Sequence, residues 1–330
     1  MIAMHRQQVD PTRRSTGLSI CMATLLCAGC IELPSFPHAS IVDGPRVLAI
    51  VAEPPEITPG RDVTLSVLVA DAEQVEVEYD VCGLIDSAFG GGAQYGEQNA
   101  DDCTGQTALL HGSGPTWTIA GDATAPLAEN RELLQAVLGR ALPTGTLDRV
   151  FEQVGIPVIV QATVHADGQT IRAVKRVLLS ENPTPNLNPP PPALGVHEAM
   201  SDVDRHLEAD PSQPWSCRTE NGEALSVSVR EKLTLTPLVD EQTNEEDWVE
   251  QYNVLNARGQ LERRTERAYY SWFATAGRFA RDVTRAPLRN QVWTAPDTAG
   301  EQRLWVVVRD GHGGASACGL AVTVRDAASR

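Results

Sequence analysis

Ile-Pro-Val-Ile-Val-Gln-Ala-Thr-Val-His (Ile156–His165), Ala-Asp-Gly-Gln (Ala166–Gln169) and Thr-Ile-Arg-Ala-Val-Lys-Arg-Val-Leu-Leu (Thr170–Leu179) form the stretch that decides the fold. Two apolar, β-branched runs flank an Asp-Gly pair. Such runs suit a pleated surface, and Asp-Gly is among the strongest short-range hairpin signals. The reading is a pair of antiparallel strands on a tight turn.

Strand signals continue toward the N-terminus. Arg46–Glu53 is β-rich and is stopped by Pro54-Pro55, and Ile57-Thr58-Pro59-Gly60 is turn chemistry. Val63–Asp71 alternates at its start, and Val75–Asp80 alternates strictly, with Val and Tyr facing a core and Glu facing water. From Gly83 to Gly114 the pattern dissolves. The glycine-rich run Gly90–Gly96 lacks a P-loop lysine and reads as a surface loop. Pro115–Ile119 is a further short strand. Residues 127–154 switch to helical spacing. Leu133, Leu134, Val137, Leu138 and Leu142 mark one helix and Leu147, Val150, Phe151 and Val154 a second, broken by Pro143-Thr144-Gly145. This predicts a helical hairpin inserted into a β domain, covering an edge or face of its sheet.

Toward the C-terminus, residues 182–193 hold six prolines within Glu181–Pro192. Such a run reads as an extended, semi-rigid spacer. Beyond it, β segments are expected at Leu225–Val229, Leu233–Asp240, Ala268–Thr275, Gln291–Thr294, Gln302–Asp310 and Ala315–Val324. Glu241–Arg267 reads as a long polar connection with a short helix near Glu246–Leu255. The organisation is therefore mainly β, with two tandem β-sandwich domains at residues 44–181 and 194–328.

The N-terminus carries an address. Arg6, Arg13 and Arg14 precede the apolar run Leu18–Leu26, a length suited to a signal peptide and too short to span a bilayer. Leu26-Cys27-Ala28-Gly29-Cys30 resembles the lipobox of bacterial lipoproteins, with Cys27 where that family carries Leu, Val or Ile. The resemblance implies removal of residues 1–29, lipid on Cys30, a tether at residues 30–43 and, with Ile31 next in line, an outer-membrane destination with the domains periplasmic or surface-exposed. The membrane is thus one partner, through the lipid.

Formal net charge is −16. Residues 1–29 hold three arginines and one aspartate, so the remainder carries −18. That balance excludes nucleic acid as a partner. Beyond the signal region four of the seven cysteines remain, Cys82, Cys103, Cys217 and Cys318. An even number in an exported chain predicts two disulfides. Three pairings are open, and Cys82–Cys103 with Cys217–Cys318 is the most economical. No CxxC or CxxH spacing supports a zinc site.

Tyr269-Tyr270-Ser271-Trp272-Phe273, then Val292-Trp293-Thr294-Ala295-Pro296-Asp297-Thr298-Ala299-Gly300, then Leu304–Gly314 ending in Val308-Arg309-Asp310-Gly311-His312-Gly313-Gly314, resemble bacterial immunoglobulin-like or PKD-like domains. Ile57–Leu65 resembles the start of a similar module. The layout as a whole resembles surface lipoproteins of myxobacteria. These resemblances imply immunoglobulin-like β-sandwiches and are silent on chemistry.

Three functions are weighed. The first is a non-catalytic binding or structural module presenting loops or sheet edges to an envelope protein or polysaccharide. Of Trp117, Trp215, Trp248, Trp272, Trp293 and Trp305, most fall in strand patterns and read as core, while Trp248, in a charged segment, reads as exposed. The second is a calcium-stabilised adhesion module with Asp71, Asp80, Asp240 and Asp310 at strand ends; Asp202-Val203-Asp204 lacks the rest of an EF-hand loop. The third is an envelope hydrolase. His111-Gly112-Ser113-Gly114 lacks nucleophile-elbow spacing, His197-Glu198 lacks the second histidine of a zinc protease, and His165 and His312 stand alone. The reading is a non-enzyme with no catalytic residue, no metal ligand and no cofactor assigned.

Overall fold

The computed structural model describes residues 38–82, 103, 108–125, 146–198, 204–210, 212–213, 215–239, 248–256 and 260–326. The first sandwich is built from β1 (Arg46–Glu53), β2 (Glu56–Ile57), β3 (Val63–Ala70), β4 (Val75–Cys82), β5 (Ala108–Ser113) and β6 (Thr116–Ile119), then the short α1 (Gly121–Thr124) and α2 (Thr146–Gln153), then β7 (Ile156–Ala166) and β8 (Gln169–Leu179). One sheet has the order β1-β3-β6 and the other β2-β8-β7-β4-β5. The deciding hairpin is in register from Ile156↔Leu179 to Ala166↔Gln169, with Asp167 and Gly168 both at positive φ.

Pro54 and Pro55 explain why the first strand splits. Proline donates no ladder hydrogen bond, so β1 ends and the chain crosses to the other sheet. There β2 runs parallel to β8. The second sandwich repeats this plan. Its strands are β9 (Leu194–Glu198), β10 (Asp204–Ala209), β11 (Cys217–Thr219), β12 (Leu225–Ser228), β13 (Lys232–Pro237), β14 (Gln251–Leu255), β15 (Leu261–Thr265), β16 (Tyr269–Ala274), β17 (Arg278–Phe279), β18 (Val283–Arg285), β19 (Gln291–Thr294), β20 (Gly300–Arg309) and β21 (Ala315–Arg325). Sheet orders are β11-β10-β9-β13-β19-β17 and β12-β21-β20-β16-β18, with β12 parallel to the last strand as β2 is in the first sandwich. A split first strand and two facing sheets joined by crossing connections make both halves immunoglobulin-like sandwiches.

Each half closes on its own core. The first packs Ile57, Leu65, Tyr79, Phe151, Val160 and Leu179 between its sheets. The second packs Leu194, Leu235, Trp272, Trp293, Val306 and Val322. Both disulfides form in the economical pairing, Cys82–Cys103 and Cys217–Cys318, with Cα atoms 5.7 and 5.3 Å apart. The second joins edge strand β11 to β21 and so ties the two sheets together. Disulfides of this kind belong to chains folded in an oxidising compartment outside the cytoplasm. Among the described residues, no helix is long and apolar enough to cross a membrane.

A third apolar cluster lies between the sandwiches. Leu48, Val51, Leu68 and Ala70 from the first meet Trp305, Val307, Ala315 and Ala317 from the second, with Val42 of the tether packed among them. Arg309 donates from Nη2 to the Leu48 carbonyl at 2.9 Å. The proline-rich run is extended, but it does not hold the sandwiches apart. It lies along their junction as a strap. Asn188 donates to the Ala52 carbonyl at 2.7 Å and accepts from the Ala315 N–H at 2.9 Å, and Ser316 donates to the Pro190 carbonyl at 2.8 Å. Proline removes donors from the strap's backbone, so its remaining polar groups and the Asn side chains make these bonds. The end of the expected tether is docked as well. Val42 is 1% exposed, and Ser40 and Val42 exchange backbone hydrogen bonds with Ala274. The Ile41-Val42 pair is apolar and finds cover there.

Several elements differ from the sequence reading. Gln251–Leu255 is a strand paired with Leu261–Thr265, not part of a helix, because Tyr252 and Val254 alternate with polar neighbours across an antiparallel pair. Ala108–Ser113 is a strand on the edge of the first sandwich, within the stretch read as patternless. The second sandwich gains β9, β10 and β11 ahead of Leu225. Of the helical hairpin, α2 is present. The first helix falls outside the described residues, as do Cys30 and Gly90–Gly96.

Candidate functional site

Where the strap passes between the sandwiches it borders a cleft of ≈ 680 Å³. The first wall is the end of α2. Val150 and Phe151 bury in the first core, and Gly155 at φ +75 accepts the left-handed turn that closes the helix, its N–H reaching the Val150 carbonyl at 2.8 Å. Glu152, Gln153 and Val154 are thereby presented to the cleft. The second wall is the strap from Glu181 to Asn186, tied to α2 by the Glu181 N–H on the Phe151 carbonyl. The third is the β14–β15 hairpin, with Gln251, Tyr252, Asn253 and Arg263.

The floor is acidic. Glu56 and Glu266 are 2% and 4% exposed, and Glu250 and His312 lie beside them. Five carboxylates line the cleft against one arginine and one histidine, which leaves its field negative. Burial pushes the Glu56 carboxyl up, only partly offset by the nearby His312, the Asn186 N–H and Ser180. Burial also pushes Glu250 up, opposed by the Leu187 N–H and reinforced by Glu266 and Asp310. His312 stacks on Tyr252 with ring centroids 3.9 Å apart, and its Nδ1 lies 3.7 Å from Glu266 Oε1.

Asp310 is the keystone beneath this floor. It is fully buried and sits in the β20–β21 loop. Its carboxylate accepts the His312 N–H at 2.6 Å, the Gly314 N–H at 2.9 and 3.0 Å, and Asn186 Nδ2 at 3.1 Å. Burial pushes its carboxyl up, and these donors work against that. Lys175 of β8 reaches across from the first sandwich and donates to the Gly313 carbonyl. Burial pulls its ammonium down to about 8 despite Asp310.

Three acceptor atoms in this cleft have no hydrogen-bond donor: Glu56 Oε2, Glu266 Oε1 and Asn186 Oδ1. The sequence reading singled out none of these residues. The available signals were a glutamate wedged between Pro55 and Ile57, and asparagines among the strap prolines.

The residues singled out from sequence fall elsewhere or act differently. Asp310 caps a loop with all its contacts internal. Asp71 takes a positive φ in a turn. Asp80 Oδ1 accepts from His111 Nδ1 at 3.0 Å on an exposed strand face. Asp202, Val203 and Asp240 lie outside the described residues. Among the described residues no group of three His, Cys, Asp or Glu stands at metal-holding geometry. Ser113 is exposed on β5, two residues beyond His111, and His165 faces Thr170 Oγ1 at 3.0 Å. His197 is exposed on β9, and His312 is the one histidine of the set brought into the cleft. Trp272, Trp293 and Trp305 are buried, Trp117 and Trp215 half-buried. Trp248 is not exposed: it packs half-buried against the second core, because β14 begins just beyond it.

No protein-family model and no curated protein matches the chain. Solved structures with some likeness include red sea bream transglutaminase, 12% identical over 86% of this chain and 32% of that one, TM-score 0.20. Others are the D0-D1 domain of intimin, 9% identical over 84% and 98%, TM-score 0.19, and SGBP-B of the Bacteroides ovatus mixed-linkage glucan utilization locus, 9% identical over 86% and 71%, TM-score 0.19. The chain spans about a third of the transglutaminase. Scores of this size do not define a shared fold, so the immunoglobulin-like class rests on the sheet order itself.

Proposed function

We propose that this chain is a non-catalytic binding or structural module of a bacterial cell envelope, anchored in the outer membrane by lipid on Cys30 and engaging an envelope partner through the junction cleft. The observation that carries the reading is the cleft itself. Both sandwiches and the strap wall it, so its shape depends on the two halves staying packed, and it keeps buried acceptors without donors. Clefts between domains are common places for ligands. The disulfides fit export, and the lipobox resemblance supplies the anchor.

The test is crosslinking capture from intact envelopes with the parent chain and with Asn253→Trp, which fills the cleft from the half-buried strand β14. The reading expects a defined partner with the parent and its loss with the variant. Equal recovery from both, or none from either, overturns it. In parallel, Cys30→Ser is expected to move the protein to the soluble fraction; persistent membrane association overturns the anchor.

A further inference from the structure

We propose that the junction cleft is a receptor for a single organic cation, an ammonium or guanidinium group, seated over Glu56, Glu266 and Asn186. This rests on the reading of the cleft as the binding surface and names its ligand class.

Three of the four unmatched atoms in the cleft are acceptors; the fourth is His312 Nδ1, 3.7 Å from Glu266 Oε1. A carboxylate can take several hydrogen bonds and an amide oxygen two. Glu56 is bonded through the Asn186 N–H and Ser180, yet its Oε2 has no donor. Glu266 Oε2 accepts the Glu250 N–H at 2.9 Å, while Oε1 has none. Asn186 spends its Nδ2 on Asp310 and leaves Oδ1 open. A buried acceptor without a donor costs free energy, more when it is charged. The complement is a group rich in donors, free of acceptors and positive. An ammonium has three donors and a guanidinium five. Tyr252, stacked on His312 at the cleft wall, adds an aromatic face to which a cation is attracted. Burial raises the carboxyl pKa of both Glu56 and Glu250, and for Glu250 the neighbouring Glu266 and Asp310 add to it.

The residue set favours nitrogen over a metal. Calcium needs oxygens converging at 2.3–2.6 Å on one point, and no such set of three exists among the described residues. Charge-assisted N–H···O bonds run to about 2.7–2.9 Å, and a guanidinium spreads its donors over a plane.

Two sources offer this chemistry: a basic side chain of a partner protein, or a free small amine. Calorimetric titration of the full extracytoplasmic chain would use acetyl-Gly-Lys-Gly-amide, acetyl-Gly-Arg-Gly-amide, putrescine and the neutral isostere acetyl-Gly-norleucine-Gly-amide, with calcium chloride as a separate arm. The expected result is saturable binding of at least one cation, weakened at least tenfold by Glu56→Gln and by Glu266→Gln and falling with salt. Peptide binding with little putrescine binding assigns a basic side chain, and the reverse assigns a free amine. Equal binding of the neutral isostere, calcium binding in place of the organic cations, or no binding at millimolar concentration overturns the proposal. Failure here with retained, Asn253-dependent capture of an envelope partner removes the ligand class and leaves the binding module standing. Glu266→Gln that unfolds is replaced by Tyr252→Leu on half-buried β14, for which a loss of cation binding above threefold is expected and unchanged binding counts against the site.

Discussion

Replacing Gly314 by alanine tests whether the strap is welded into the junction. A Cβ built on Gly314 falls on Asp310 Oδ2 and stands 2.9 Å from both the Leu187 carbonyl oxygen and Pro189 Cδ. None of the three is the free end of a flexible chain. Asp310 is fully buried and held by four hydrogen bonds, and the other two belong to the strap. Overpacking alone costs about 1–3 kcal/mol. Turning Asp310 aside also weakens its bonds from Gly314 and Asn186, where hydrogen bonds to charged groups contribute about 1.5–3 kcal/mol each. These effects share one displacement and do not add fully, so the expected loss is about 3–5 kcal/mol. Guanidinium unfolding at pH 7 measures it, with Gly44→Ala as the comparison, since nothing lies within 4 Å of a Cβ there. Gly44→Ala should stay within about 0.5 kcal/mol. Proteinase K cleavage within residues 182–193 should quicken in Gly314→Ala alone. A Gly314→Ala chain as stable as Gly44→Ala, with the strap still protected, would refute the close packing of strap, Asp310 and β21.

Two further outcomes follow from the same structure. Cys217 and Cys318 are 101 residues apart and Cys82 and Cys103 only 21; on the chain-entropy model the paired Ser variants lose about 4.7 and about 3 kcal/mol respectively, so thermal melts should rank the long bridge as the costlier, and a reversed order would sink the assignment. Lys175 has its pKa lowered to about 8 from 10.5. Between those values the unfolded chain holds a proton the native chain has released, so stability should rise as pH goes from about 8 toward 10, by up to about 3 kcal/mol. Below pH 8 the full penalty is present. Tyr79, pushed up to about 12, opposes this only at higher pH. Denaturant midpoints across pH 7–10 should show the rise in the parent and lose it in Lys175→Met; parallel curves would argue against a buried Lys175.

The strands with clean alternation were legible without coordinates. Val77, Tyr79 and Val81 face the first core while Glu76 and Glu78 face water, as period two requires. Asp167-Gly168 turns the hairpin it predicts, and Asp310-Gly311 opens the loop between β20 and β21. The junction left a trace that alternation obscures. Leu304–Val308 is buried at five successive positions, and Leu48–Ala52 likewise. A strand apolar on both faces is covered on both faces, so these two runs mark where one sandwich meets the other. Short strands such as β14, β15 and β17 were not legible, because their pairing depends on partners rather than on their own residues.

What the sequence by itself determined is local: the β class, the turns and the break at Pro54-Pro55. Each follows from side-chain periodicity or from what glycine and proline allow a backbone to do. The cleft is a different matter. Glu56, Asn186, Glu250, Glu266 and His312 come from separate segments, and nothing in their spacing says that they meet. Tertiary structure decided that, by burying the outer faces of β1 and β20 against each other and drawing the proline strap across the seam. Only then do three acceptors find themselves buried together without a donor, and only there does an acidic chain acquire a place for a cation.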